Sequence, residues 1–265
     1  MKRRLPFQLA MGIFTLIALA VLIYPAANML VMSFQPGGGG GFTLSNYKEI
    51  FTQSMYTTAI RNSLLISLFS SIVAIVFTTI TTYAIVSHSK KLKETFMIIA
   101  NITSNFAGIP LAFAYIILLG SSGVMLIFAR RMGIDWLSGY NLYSIWGLGI
   151  VFLYFQLPMG IILLMPIYDA LDTRWRESAE LLGASSFQYW KRIGLPVLMP
   201  SIVGVFAMMF ANAMGAYASA DALTGTSVNL LSIRIANTVT GDIFARPEIG
   251  AALSVLLAAI LLINM

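Results

Sequence analysis

The sequence contains no cysteine and a single histidine, His88, in 265 residues. Disulfides, thiolate metal sites and multi-histidine metal centres are therefore excluded. Charge is also scarce. Lys and Arg number 16 and Asp and Glu 10, together 10% of the chain, where a soluble domain carries about a quarter. So few charges cannot cover a globule in water, and the solvent that suits this composition is lipid. No glycine-rich loop ends in Lys-Ser or Lys-Thr, the arrangement that cradles nucleotide phosphates. Gly37 to Gly41 lacks that lysine. No Ser/His/Asp set, carboxylate pair or histidine cluster falls at membrane depth, so the chemistry of a membrane enzyme is missing.

What is present is apolar sequence, 58% of the chain. A membrane helix needs roughly 20 apolar residues, and six stretches qualify, at about 7–33, 61–86, 95–119, 141–168, 197–222 and 247–265. The first follows Lys2, Arg3 and Arg4 and is too long for the apolar core of a signal peptide, so it reads as a retained helix. The reading is an all-α integral membrane protein, one transmembrane domain over 1–265. Loops two and four and the N-terminus hold ten of the basic residues, and the opposite side holds six. That asymmetry puts both termini in the cytoplasm. The formal charge of +6 accordingly reads as membrane orientation, with no nucleic-acid partner. Trp136, Tyr140 and Tyr143 read as interfacial anchors, His88 as a solvated loop residue, Leu44 to Phe51 as an amphipathic piece, and Val124 to Arg131 as a short interfacial helix.

Loop four, 169–196, is the longest charged segment. Residues 173–182 favour a helix, and Gly183 supplies a C-terminal stop. Ser185 and Gln188 match a capping box that starts a second helix. Pro196 then stands where the next membrane helix begins, a position that tolerates proline. Ala179 and Gly183, four apart, leave a flat patch for a partner surface. Glu177, Glu180 and Leu181 lie on a neighbouring stripe. A plain solvated connector would show charge without this spacing.

The same segment resembles the EAA loop of binding-protein-dependent ABC importer permeases: Glu-Ala-Ala, three residues, Gly, nine residues, Ile, one residue, Leu-Pro. Glu177, Ala179, Gly183, Ile193, Leu195 and Pro196 stand at that spacing, with Ser178 in place of the first alanine. Asn62-Ser63-Leu64 also resembles the family, and Leu223-Thr224-Gly225 and Gly120 to Ile134 resemble its spermidine/putrescine branch. The resemblance implies the type I permease fold, with Glu177, Ala179, Glu180, Gly183, Ala184, Ile193, Leu195 and Pro196 docking a cytoplasmic ATPase dimer. It further implies a second, different permease chain, an extracytoplasmic substrate-binding protein, and a place in the bacterial inner membrane. ATP and Mg would be bound on the partner ATPase, with no cofactor on this chain. A polyamine is the substrate this branch suggests.

Polar residues inside apolar runs face the protein interior or a water-filled path. Asn101, Ser104 and Asn105 precede Gly108-Ile109-Pro110, which should bend or break helix three. Asn101, Asn105, Gly108 and Ala112 would share one face. They read either as pathway lining or as glue between helices. Ala207, Ala211, Gly215 and Ser219 form a small-residue packing stripe on helix five, with Asn212 and Tyr217 off it and available to the pathway. Asp221 is the sole carboxylate near a membrane-helix interior in the outer half. It suits either a cationic substrate or an interfacial ion pair. A self-sufficient ion-coupled carrier is the alternative function. It would need internal repeats and buried ionisable groups, and Asp221 alone answers.

Overall fold

Backbone groups in lipid must find partners inside their own segment, which leaves helices as the form for these apolar runs. The computed structural model describes residues 4–88, 90–134, 139–225, 227–240 and 245–264, and its regular elements among them are all helical. Six helical stretches are long and apolar enough to cross a membrane: Met11–Ser33, Ser54–Val86, Ile109–Met132 (two helices joined by a turn at 120–123), Ile145–Asp169, Ser186–Met214 and Pro247–Asn264. Lys2, Arg3 and Trp136 lie outside the described residues. The chain divides into two units, Met1–Thr58 with Arg234–Ile263, and Ala59–Ile233 with the last two residues.

In the first unit, α1 (Arg4–Ser33) leads through the glycine run to α2 (Ser45–Thr52), the amphipathic piece of the sequence reading. The Asn46 amide donates to the carbonyls of Ser33 and Gln35, both at 2.9 Å, and so covers orphan carbonyls at the end of α1. The Arg246 guanidinium grips both carboxylate oxygens of Glu49 and reaches Glu248 at 3.3 Å. It thereby ties α2 to the start of the last helix, Pro247–Asn264.

In the second unit the core is α7 (Ile145–Asp169). Its Ser144 cap accepts the Gly147 N–H at 3.1 Å. Gly160 of α7 admits close neighbours, since a Cβ there would stand 2.8 Å from both Thr78 and Met209. Against α7 pack α4 (Lys90–Asn105), α10 (Leu195–Met214) and α11 (Tyr217–Thr224), and α5 (Ile109–Leu119) packs against α11 and α6 (Val124–Met132). The long helix α3 (Ser54–Val86) begins seven residues before the expected start. Asn62 and Ser63 thus lie inside it. They bind the Asn229 carbonyl at 3.1 Å and the Leu231 N–H at 2.8 Å, holding the segment that leads into α12 (Leu231–Thr240).

Two expected membrane helices are interrupted. Stretch three is split into α4 and α5 at Phe106–Gly108, where Gly108 has φ +73°. The Gly-Ile-Pro signal thus produces a full break, and Asn101, Asn105, Gly108 and Ala112 do not share a face of one helix. Stretch five ends at Met214, and α11 starts afresh at Tyr217. The small-residue stripe stops with it: Gly215 caps α10, and Ser219 sits on α11. Asp221 therefore lies on a separate short helix, outside the six candidate spans.

Candidate coupling surface and pathway lining

Loop four folds into α8 (Thr173–Leu181), a turn, and a second helix α9 (Ser186–Tyr189). The Asp172 side chain caps α8 by accepting the Arg174 N–H at 2.9 Å. The Arg174 side-chain hydrogen bonds, foremost, hold this carboxyl below the usual carboxylate range. The α8 terminus is a Schellman motif: Gly183 N–H donates to Glu180 O and Ala184 N–H to Ala179 O, each at 2.9 Å. Gly183 takes φ +78° to permit it. Four of the EAA-loop residues, Ala179, Glu180, Gly183 and Ala184, are thus the atoms of one turn. The capping box expected of Ser185 and Gln188 is present with both hydrogen bonds.

The side chains sort into two faces. Ala179 is buried, while Leu181 and Leu182 are 89% and 88% exposed and Phe187 is 74% exposed. Apolar groups this bare at the tip of a turn form a candidate contact surface. Beside them is a hollow of about 790 Å³ whose walls include Ala179, Gly183, Ala184, Gln188 and Ile193. Glu180 is engaged by Arg176 at 2.9 Å. Glu177 is exposed and has no ion pair among the described residues.

The sequence reading ended the loop at Pro196. The structure instead runs α9 through a π-helical segment, Trp190–Gly194, into α10 without a gap. The Leu195 N–H closes the wide turn on Trp190 O, just where Pro196 has no N–H to offer. Leu195 and Pro196 thus belong to the first turn of α10. Gly194 is required there: a Cβ would lie 2.6 Å from the Trp190 ring. That ring is the hub of an aromatic cluster, with centroids 4.7 Å from Tyr83, 6.3 Å from Tyr168 and 5.7 Å from Tyr189. It joins the loop to α3 and α7. The sequence reading missed this cluster, because its members come from three separate stretches.

The two helix breaks meet. The Gly108 N–H donates to the Ser219 hydroxyl at 3.0 Å, which satisfies a backbone group that the break leaves free. A pocket of about 410 Å³ lies between them, lined among others by Ser104, Phe155, Met159, Asn212 and Tyr217. Ser104, Asn212 and Tyr217 are thus brought together as candidate pathway residues. Asn101 and Asn105 are exposed, away from this pocket, and bond back to carbonyls of their own helix at 2.7 and 2.8 Å. Asp221 accepts the Tyr217 hydroxyl at 3.2 Å, which places its carboxylate one turn from the pocket.

Comparison with known proteins agrees with this architecture. The chain is 24% identical over 254 residues to the spermidine/putrescine transport system permease protein PotC of Escherichia coli K12, covering 94% of this chain and 89% of PotC. It is 24% identical over 271 residues to the sulfate transport system permease protein CysT of Escherichia coli K12, covering 99% and 91%. The crystal structure of a bacterial ABC transporter that imports the acidic polysaccharide alginate has the same fold, with a TM-score of 0.77 at 19% identity over 99% of this chain and 93% of that chain. The family model described as the binding-protein-dependent transport system inner membrane component matches residues 62–265. With that match over most of its length, this multi-pass membrane chain belongs to the inner-membrane permease family of binding-protein-dependent ABC transport systems.

Proposed function

We propose that this chain is one of two different membrane subunits of a bacterial ATP-driven importer, with both termini and residues 169–196 in the cytoplasm. The observation that carries the reading is the EAA turn. Its Schellman geometry sets Leu181 and Leu182 bare beside a hollow bounded by Gly183 and Ala184. In this reading a separate ATPase dimer, holding ATP and Mg, receives that turn. Closure of the dimer pushes on α8, and the Trp190 cluster passes the displacement to α3, α7 and α10. Glu177 is available to a basic group of the ATPase, whereas Glu180 already has Arg176. Ile193, Leu195 and Pro196 fix the direction in which α10 leaves the loop.

Substrate, delivered by an extracytoplasmic binding protein, would pass the pocket between the helix breaks, past Ser104, Asn212 and Tyr217. A small polyamine-like cation is the first candidate. Asp221 behind Tyr217 favours positive charge, and PotC is a relative along nearly the whole chain. Anions remain in competition through CysT. Asn101 and Asn105 serve as interhelical contacts or lining on a partner-facing side.

The test is affinity purification from native membranes with uptake measured in proteoliposomes. Wild type should bring down an ATPase and a second permease, and Gly183→Asp should lose the ATPase. Failure of any ATPase to accompany wild type in mild detergent would sink the importer reading. For the substrate, Asp221→Asn should weaken polyamine uptake while the complex stays assembled, and unchanged uptake removes the cation assignment.

A further inference from the structure

Gln156 of α7 sits where packing alone calls for an apolar side chain. It is 0% exposed, inside a helix long and apolar enough to cross a membrane. A polar group at that depth is costly and marks function or a specific helix contact. The Gln156 Nε2 donates to the Ser70 hydroxyl of α3 at 3.0 Å, and that hydroxyl donates in turn to the Ser67 carbonyl at 3.3 Å. The Gln156 Oε1 is buried without a partner among the described residues. A buried oxygen left unpaired costs at least as much as one neutral hydrogen bond returns. Methionine would fill the same space without that cost. Stability therefore does not account for the amide. What one polar contact adds to an apolar seam is a preferred arrangement of its helices.

The contacts around that bond carry little direction. α7 meets α3 through Gly149, where a Cβ would stand 3.7 Å from the Phe69 ring, and through Gly160 beside Thr78. Glycine contacts let helices approach without choosing their rotation. Another hydrogen bond between the two helices, from Tyr168 Oη to Thr79 O at 3.0 Å, lies about three turns further along α7. Rotation matters at this level because successive residues of a helix point about 100° apart. Gln156 and Gly160 face α3, and the neighbouring stripe, Phe155 and Met159, lines the pocket between the helix breaks. The Met159 sulfur accepts the Asn212 Nδ2 there at 3.4 Å.

We propose that Gln156 is a positioning residue of the solute path: its bond to Ser70 sets the rotation of α7 and so turns Phe155 and Met159 into the pocket. Gln156 itself touches no solute. It acts through its two neighbours, one turn of one helix held against another. The proposal rests on the pocket being the solute path, as put forward above.

The experiment uses the assembled complex. Gln156→Met removes the amide and keeps the chain length, so its thermal unfolding should come no lower than that of wild type. Met159→Cys is placed in both backgrounds, and its modification by a small water-soluble methanethiosulfonate is read by mass on this chain, which has no other cysteine. Beside the native Gln156 the thiol should react readily from water. With Gln156→Met the rate should fall by up to about fivefold, the equivalent of one hydrogen bond at roughly 1 kcal/mol. Ser70→Ala should move the rate the same way, and combining it with Gln156→Met should add nothing further. Without the cysteine, uptake of labelled spermidine into proteoliposomes (labelled sulfate where wild type does not carry spermidine) should change more in KM than in maximal rate. An unchanged modification rate in Gln156→Met overturns the proposal, whatever the uptake. Less assembled complex, a lower melting temperature and an unchanged KM would make Gln156 a stabilising residue only, and overturn it as well. Altered modification with wild-type uptake kinetics overturns it a third way: the pocket is then off the solute path, while the importer reading through the EAA turn stands.

Discussion

Gly183 separates two reasons for a glycine at the turn proposed to dock the ATPase. Its φ of +78° belongs to the left-handed region, and beyond its two chain neighbours no described atom lies within 4 Å of where a Cβ would stand. Inside this chain a substitution therefore meets backbone strain and nothing else. For an ordinary L-residue that strain is about 1–2 kcal/mol, and each 1.4 kcal/mol is a factor of ten in the population of the competent turn. Asparagine enters this region more readily, and a β-branched residue enters it least. Three variants should therefore rank. Gly183→Ala should lower ATPase retention on the purified complex about tenfold, Gly183→Asn no more than about threefold, and Gly183→Val beyond tenfold. ATP-driven uptake in proteoliposomes should follow the same order. The free chain should fold normally in all three, because the turn is exposed. If Gly183→Asn is as damaging as Gly183→Val, the partner's approach to a bare backbone decides, and the strain account is wrong. If Gly183→Ala is harmless, the left-handed turn plays no part in coupling.

Other positions give sharper local tests. Gly194→Ala should press on the Trp190 ring, cost about 1–3 kcal/mol as overpacking, and shift tryptophan fluorescence. Adding Trp190→Ala should recover part of the loss in thermal unfolding, and additive losses would refute the contact. Ser219→Ala strands the Gly108 N–H at the paired breaks, at about 1–3 kcal/mol, while Ser219→Thr should keep the bond. Equal thermal stability of Ser219→Ala and wild type would refute the tie. For Asp172 the folded carboxyl sits below its usual range, so its contribution is in place above the ordinary carboxylate pKa of about 3.9 and fades as pH falls through the lower folded value. Hydrogen exchange at the start of α8 should therefore be protected equally at pH 5 and pH 8. Asp172→Ala should lose that protection at both, and Asp172→Asn should retain most of it.

Much of this was legible in the sequence because lipid leaves a chain few choices. The length of an apolar run sets a helix, and Gly183, Ser185 and Gln188 announce a stop and a start through their local hydrogen bonds. The Gly-Ile-Pro signal correctly marked a break. Nothing comparable announced the second break at Gly215, since glycine is common inside membrane helices and no proline follows it. Pro196 did mark the first turn of α10; what it did not announce is that α9 runs into that turn through a π segment without a gap. The aromatic hub was invisible because Tyr83, Tyr168 and Trp190 acquire meaning only when three stretches come together. The pairing of Gly108 with Ser219 spans more than a hundred residues and leaves no local trace.

The unbroken run from α9 through the π turn to Met214 gives the molecule a lever. Its 29 residues amount to roughly 43 Å at 1.5 Å per residue. A tilt of about 10° imposed at its loop-four end would, at that length, carry the far end about 7 Å, more than a full helical turn. A jointed connection would spend such a stroke in its own hinge. In the importer proposed above, this run would carry a displacement of loop four to Met214, where it ends beside the pocket lined by Asn212 and Tyr217.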